Sequence, residues 1–207
     1  MDVFNAIRTR RSIRAYKPDP VSDEDIAKIL DAAHWAPSAA NLQPWEFIVV
    51  KNPSTRKEIQ ALVEENRNAT IKARSEPWRS GFSKYSTEWI SKAPVHIVVC
   101  ANPAKTAPHV FGEETYKYAT GAAIQNLMLA AHALGLGSCW LSMFDKDRLK
   151  KLLNIPKEID VIGVVTIGYP IEVPEVPETL KRYGGAPRKN LEEIVYCETY
   201  GKRGNKL

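Results

Sequence analysis

The chain has 207 residues, of which 44% are hydrophobic and 26% charged, a composition ordinary for a globular protein with a sizeable core. No apolar run approaches the roughly 18 residues of a membrane span, and the N-terminus lacks the apolar core of a signal peptide, so we expect a cytoplasmic protein without a membrane partner. The net charge of +5 and the isoelectric point of about 9.0 leave nucleic-acid binding open, because composition does not show whether the separate basic clusters form one face.

Hydrophobic spacing and capping residues predict helices that alternate with four or five strands. Val3, Phe4 and Ile7 predict a short first helix, and Ser22 with Asp25 predicts a capping box that starts a second one. The predicted elements that follow the first helix are a helix over 23–35, a strand over 47–51, a helix from Asn52, strands over 94–101, 138–142 and 161–168, and a short helix over 149–153. An extended arm over 169–178 and a tail over 191–200, which could pair as a strand or clasp another subunit, complete the chain.

The pattern loosens over 64–93, where Trp78, Phe82, Tyr85 and Trp89 are scattered among charged residues. We interpret this stretch as a lid-like excursion outside the core, with a partner-binding face as the alternative. His96, within the apolar strand that follows, is interpreted as structural.

The stretch 113–134 is predicted to be the longest helix and is apolar nearly all round, which is typical of burial in a large core or an intersubunit interface. Gly135 and Gly137 end it. The order of elements predicts an α+β or α/β layered fold, and a single domain over 1–207 fits because no polar linker divides two cores.

The loop between the second helix and the first strand carries uncharged hydrogen-bonding side chains. Ser38, Asn41 and Gln43 lie between Pro37 and Pro44, both of which break a helix. Such a loop can hold a flat, hydrogen-bonding ring, and the alternative is a capped turn.

Two cationic stretches are candidate phosphate sites. Arginine suits phosphate geometry, and a hydroxyl adds a donor. The first comprises Arg10, Arg11, Ser12 and Arg14, and the second comprises Arg188 and Lys189 after two glycines. The alternative for such a run is a solvated basic turn.

Several other chemistries find no support in the sequence. The three cysteines and four histidines lack metal-ligand spacing, so we expect no metal site and reduced core thiols at Cys100 and Cys139. There is no Walker-type glycine loop and no GxSxG motif, and the glycines at 135 and 137 follow a helix instead of a strand. With no evident acid–base set, we expect the reactive group to be a cofactor and name no catalytic side chain.

Five segments, in order along the chain, resemble the FMN-dependent nitroreductases. They read RTRRSIRAY, APSAANLQPWEFIVV, GAAIQNLMLAAHALGLGSCWL, NIPKEIDVIGVVTIGYP and PRKNLEEIV. The resemblance implies an α+β fold, a three-layer sandwich with a mixed central sheet flanked by helices. It also implies an intertwined homodimer with FMN at the interface, with 122–134 in the dimer core.

The resemblance also assigns roles to particular residues. Arg10, Arg11, Ser12 and Arg14 would hold the phosphate, ribityl chain and pyrimidine edge of FMN, with Arg188 and Lys189 reaching the phosphate. Pro37, Ser38, Ala39 and Asn41 would pack against the ring from the neighbouring subunit, and Gln43 would contribute there or order the loop. Leu136, Gly137 and Ser138 would pass near the ring, mostly through backbone groups. An acidic residue common in the family is replaced in the region of Tyr118, Ala119 and Thr120.

The activity implied is ping-pong transfer of hydride from NADH or NADPH, through flavin N5, to a small electron-poor acceptor such as a nitroaromatic, a quinone or an enone. The excursion over 64–93 would shape the substrate mouth. The alternatives on the same fold are reductive dehalogenation, flavin fragmentation and a flavin-storing dimer without turnover. A basic nucleic-acid-binding module is the alternative from another class, which the apolar helix and the neutral loop disfavour.

Overall fold

The computed structural model describes residues 1–76, 78–84, 86–174 and 188–203. The chain divides into two compact units, which comprise Met1–Glu175 and Val176–Leu207. The two glycines before Arg188, the end of the predicted arm at 175–178 and the C-terminal residues 204–207 lie outside the described residues. The prediction of one domain over the whole chain stays a prediction.

The helices begin where local capping side chains place them. The Asp2 carboxylate accepts a hydrogen bond from Asn5 N at 3.0 Å, and Ser22 Oγ accepts one from Asp25 N at 3.0 Å. Asn52 caps the next helix, whose first residue is Pro53. The helices are α1 (Val3–Thr9), α2 (Asp23–His34), α3 (Pro53–Ala73), α4 (Trp78–Ser83), α5 (Glu88–Lys92), α6 (Pro108–Phe111), α7 (Thr115–Ala133), α8 (Lys146–Leu153) and α9 (Leu191–Ile194), with 3₁₀ turns at Ala39–Asn41 and Pro103–Thr106.

One four-stranded sheet lies at the centre of the larger unit, in the order β1-β2-β4-β3. Its strands are β1 (Trp45–Val50), β2 (Val95–Ala101), β3 (Gly137–Leu141) and β4 (Asp160–Gly168). All neighbouring strands are antiparallel. The parallel part of the predicted mixed sheet is, within the described residues, one isolated bridge between Ser12 and Ser138.

Two hydrophobic cores lie on opposite faces of this sheet, because successive strand side chains point to opposite sides. Val98 of β2 packs with residues of α3, α5 and α8, whereas its neighbours Ile97 and Val99 pack with residues of α2 and α7. Every residue of β2 is buried, as expected for a strand covered on both faces. The predicted three-layer α+β sandwich is confirmed.

The structure corrects three predictions. The longest helix is α3, of 21 residues, and not α7, of 19, because the stretch after Glu64 lacks glycine and proline and continues the helix to Ala73. Within the excursion, Trp89 and Ile90 are 8% and 0% exposed and belong to the core. The first residues of the tail, Leu191–Ile194, form the helix α9 where a strand had been an alternative, since Asn190 and Glu193 make a capping box.

Within the described residues, none of the helices is long and apolar enough to cross a membrane.

Candidate functional site

The basic segment, residues 10–14, follows α1 and runs beside the first residues of β3. Ser12 and Ser138 form a parallel bridge, and Ile13 N donates a hydrogen bond to Ser138 O at 2.9 Å. Two stretches predicted separately to bind one cofactor, around Arg10 and around Gly137, are therefore adjacent, although more than 120 positions separate them in the sequence.

The close packing of the basic segment against β3 requires a glycine at position 137. A Cβ at that position would lie 2.7 Å from Ile13 Cγ1 and 2.9 Å from Ile13 Cβ, which is closer than non-bonded carbons come. Ile13 is 3% exposed and packs in the core, so it has little room to move away. The glycine thus allows the basic segment to lie directly on β3.

The arginines of the segment are half-buried, and their contacts orient them. Arg11 Nη1 donates hydrogen bonds to Arg8 O at 2.8 Å and to Arg10 O at 3.0 Å. The Arg14 guanidinium lies over the indole of Trp89, with its central carbon 5.8 Å from the ring centroid. Fixed guanidinium groups lose little side-chain entropy when they bind an anion, which suits them to a phosphate.

His132 also lies at this cluster, although no sequence motif marks it. Its Nε2 is 2.8 Å from Thr9 Oγ1, which joins the end of α7 to the end of α1. Burial, followed by the positive charges of Arg10 and Arg11, lowers the pKa of His132. The signal in the sequence was its place in the last turn of α7, just before the glycine segment.

Ser138 carries a buried hydroxyl that suits a polar ligand. The residue is 2% exposed, and its Oγ has no hydrogen-bond partner within the described part of the chain. An unsatisfied buried hydroxyl is unfavourable by about 1–3 kcal/mol, and a ligand atom that pairs with it would recover this energy. Leu136 offers only its backbone here, since its side chain is buried in the core.

The predicted ring-binding loop is held in a strained conformation. Ser38 Oγ accepts a hydrogen bond from Gln43 N at 3.0 Å, and Gln43 Nε2 donates one to Asn41 O at 3.2 Å. Ala40, Asn41 and Gln43 have φ angles of 46°, 55° and 47°, in the left-handed region that non-glycine residues rarely adopt. Backbone strain of this kind clusters at active sites and ligand-binding segments. Pro37 is exposed, and Ala39 is half-buried.

This loop lies at the opposite end of α7 from the arginines. Ser38 and Ala39 line a small cleft together with Thr115 and Tyr116 in the first turn of that helix. The arginine cluster instead lies near His132 in its last turn, where the charges of Arg10 and Arg11 lower the pKa of that histidine and Thr9 Oγ1 contacts it. At 1.5 Å per residue, Tyr116 and His132 are about 24 Å apart along the helix axis. The two groups of predicted site residues are therefore not brought together within one chain.

Arg188 and Lys189 belong to the smaller unit, where both are exposed and precede the N-cap of α9. Their place beside the phosphate stays a prediction. In the described parts of both units, no group of three histidine, cysteine or acidic side chains could hold a metal ion.

Comparison with known proteins identifies close relatives. The sequence profile described as the nitroreductase family matches residues 7–169. The chain is 38% identical over 186 residues to an Archaeoglobus fulgidus protein provisionally named NADH dehydrogenase/NAD(P)H nitroreductase, a match that covers 88% of this chain and 93% of the relative. It is 32% identical over 187 residues to the 5,6-dimethylbenzimidazole synthase of Rhodospirillum rubrum, with 87% of each chain covered.

Among solved structures, that of oxidized iodotyrosine deiodinase bound to FMN and 3-iodo-L-tyrosine has the same fold. The TM-score is 0.79 at 22% identity, and the match covers 96% of this chain and 100% of the other.

Proposed function

The chain belongs to the nitroreductase family of oxidoreductases, and on this premise we propose that it is an FMN-dependent NAD(P)H oxidoreductase that reduces nitroaromatic, quinone or similar electron-poor acceptors. The observation that carries the proposal is the bridge between Ser12 and Ser138. It joins fixed arginines to an unsatisfied buried hydroxyl, a set of donors that fits a phosphate and the polar chain attached to it.

The side chains of the site have binding and orienting roles in this proposal. Arg10 and Arg11 would hold the phosphate, and the Ser138 hydroxyl would donate to a neighbouring oxygen of the cofactor. Arg14 would lie at the pyrimidine edge, where a positive charge favours a negatively charged reduced ring. When bound, FMN would take hydride from NADH or NADPH and pass the reducing equivalents to the acceptor.

We propose that the active form is a homodimer, because the loop and the arginines of one chain lie at opposite ends of α7. A second copy would bring its loop to the arginines of the first. An open face of α7 fits such a partner. It carries Tyr118, which is 72% exposed, and Gly121, where an added Cβ would meet no atom within 4 Å.

A further set of exposed apolar side chains supports the same proposal. Val3, Phe4 and Ile7 of α1 are 58%, 69% and 49% exposed, and Trp35, just before the loop, is 77% exposed. Large apolar side chains exposed together mark surfaces that contact another protein. Exposed apolar side chains thus precede both groups of predicted site residues, on α1 before the arginines and at Trp35 before the loop.

The first experiment is an absorbance spectrum of the purified protein, followed by anaerobic addition of NADH or NADPH. Oxidised-flavin bands that bleach on addition would support the proposal. A colourless protein that does not bind added FMN would refute it, and salt-sensitive DNA binding by that protein would favour the nucleic-acid alternative.

The acceptor is then found by re-oxidising the reduced protein with single compounds. A nitroaromatic or a quinone should restore the oxidised bands. Because relatives of this chain are named for other reactions, 3-iodo-L-tyrosine and molecular oxygen belong in the same series. Release of iodide from the first, or fragmentation of the flavin by the second, would replace the proposed acceptor class. If neither NADH nor NADPH bleaches the flavin bands, the protein would instead be a flavin-storing dimer without turnover.

A further inference from the structure

Arg14 and Trp89 form a contact that joins the basic segment to the end of the 64–93 excursion. The central carbon of the Arg14 guanidinium lies 5.8 Å from the centroid of the indole ring. Trp89 is 8% exposed, so little water screens the interaction. A cation over an aromatic face is stabilised most when the pair is desolvated, and tryptophan is the strongest partner.

A second aromatic ring lies beside the Trp89 indole. The ring of Tyr16 lies 6.4 Å from it, centroid to centroid. The Tyr16 hydroxyl is in turn fixed, because it lies 2.8 Å from both Ile13 O and Thr166 Oγ1. The tyrosine therefore connects the indole to the segment that bridges β3.

The helix that carries Trp89 is also anchored. Ile90 O accepts a hydrogen bond from His96 Nε2 at 2.8 Å, and Ser91 O accepts one from Arg56 Nη1 at 2.7 Å. These contacts tie α5 to the start of β2 and to the start of α3. Trp89 therefore stands on a fixed helix, whereas most of the excursion lies before it in the sequence.

We infer that Trp89 is a positioning residue, whose indole face holds the Arg14 guanidinium in the orientation that binds the cofactor. This inference rests on the proposed FMN site and goes beyond it, because Trp89 itself need not touch FMN. It also gives the excursion a second role besides shaping the substrate mouth, since its last helix sets the geometry of a cofactor-binding arginine.

The test compares FMN release from the purified holoprotein in three variants. Dissociation constants come from the rise of free-flavin fluorescence on dilution, and thermal unfolding is measured alongside. Trp89→Leu keeps an apolar side chain but removes the aromatic face, and we expect Kd for FMN to rise about three- to tenfold. Trp89→Phe restores a weaker aromatic face and should recover part of the affinity.

Leu149→Ala is the matched control, because it removes buried volume from the same core but leaves the indole in place. It should lower the unfolding temperature while the Kd stays near that of the unmodified protein. A merely structural Trp89 would instead lower the unfolding temperature and leave Kd unchanged.

The outcomes separate the inference from the proposed function. An unmodified protein that binds no FMN would refute the function and the inference with it. Binding of FMN that is equally tight in Trp89→Leu would overturn the inference alone. If Trp89→Leu does not fold, a double mutant cycle of Trp89→Phe with Arg14→Gln decides. The Phe substitution should then matter less once Arg14 is replaced, and additive effects would overturn the inference.

Discussion

Acid should destabilise the fold through one buried histidine. His96 is 0% exposed, and its Nε2 donates to Ile90 O, which leaves Nδ1 without a hydrogen-bond partner in the described part of the chain. Burial, with a smaller contribution from the charge of Arg56, lowers the pKa of His96 from 6.5 to about 4. The proton that charges the ring would therefore enter an apolar core beside a cation.

The sign and size of the effect follow from linkage. In the unfolded chain His96 takes up a proton as the pH falls through 6.5, whereas in the folded chain it does so near 4. The stability from its neutral form is present above pH 6.5 and is lost progressively as the pH falls to 4. Between pH 7.5 and 4.5 this one group should lower the free energy of unfolding by about 2–3 kcal/mol.

Urea denaturation at pH 7.5 and 4.5, followed by circular dichroism, measures the effect in the unmodified protein and in His96→Gln. The glutamine amide can still donate a hydrogen bond, but it does not titrate. Carboxylates contribute equally to both proteins, so the difference between the two pH-dependent losses belongs to His96. Equal losses in the two proteins would refute the reasoning.

Three other predictions concern two glycines and a pair of cysteines. Gly137→Ala places a Cβ 2.7 Å from Ile13 Cγ1, so the free energy of unfolding should fall by about 1–3 kcal/mol in urea titrations, and an unchanged value would contradict the close contact. Gly121→Leu adds a side chain where the chain itself leaves open space, so the far-ultraviolet spectrum should be retained while sedimentation shows less dimer; undiminished dimer would exclude that helix face. Cys197, which is half-exposed, should react with a thiol reagent in the native protein, whereas Cys100, whose buried thiol has a pKa raised to about 11, should react only after denaturation.

Features governed by neighbouring residues were predictable from the sequence. The Ser22 cap, the start of α3 at Pro53 and the fully buried β2 agree with the structure, because capping and periodicity act over a few positions. The sequence also singled out the basic segment and the polar loop as candidate binding stretches, and their roles in binding stay predictions.

Features created by tertiary contact were not predictable from local pattern. Trp89 is preceded by a charged, irregular stretch and was taken for part of a lid, yet Tyr16 and Arg14 contact it from the far end of the sequence. His132 reached the site only because α1 packs on α7. The placement of the loop and the arginines at opposite ends of α7 likewise depends on where the helix lies in the folded chain.

The length of α7 has a consequence for mass action in the proposed dimer. If every cofactor site takes its arginines from one chain and its loop from another, cofactor loading and self-association are one linked equilibrium. Added FMN would hold the two chains together at dilutions where the flavin-free protein comes apart. In a mixture of two damaged chains, one without arginines and one without the loop, half of the sites in each mixed pair would still be whole.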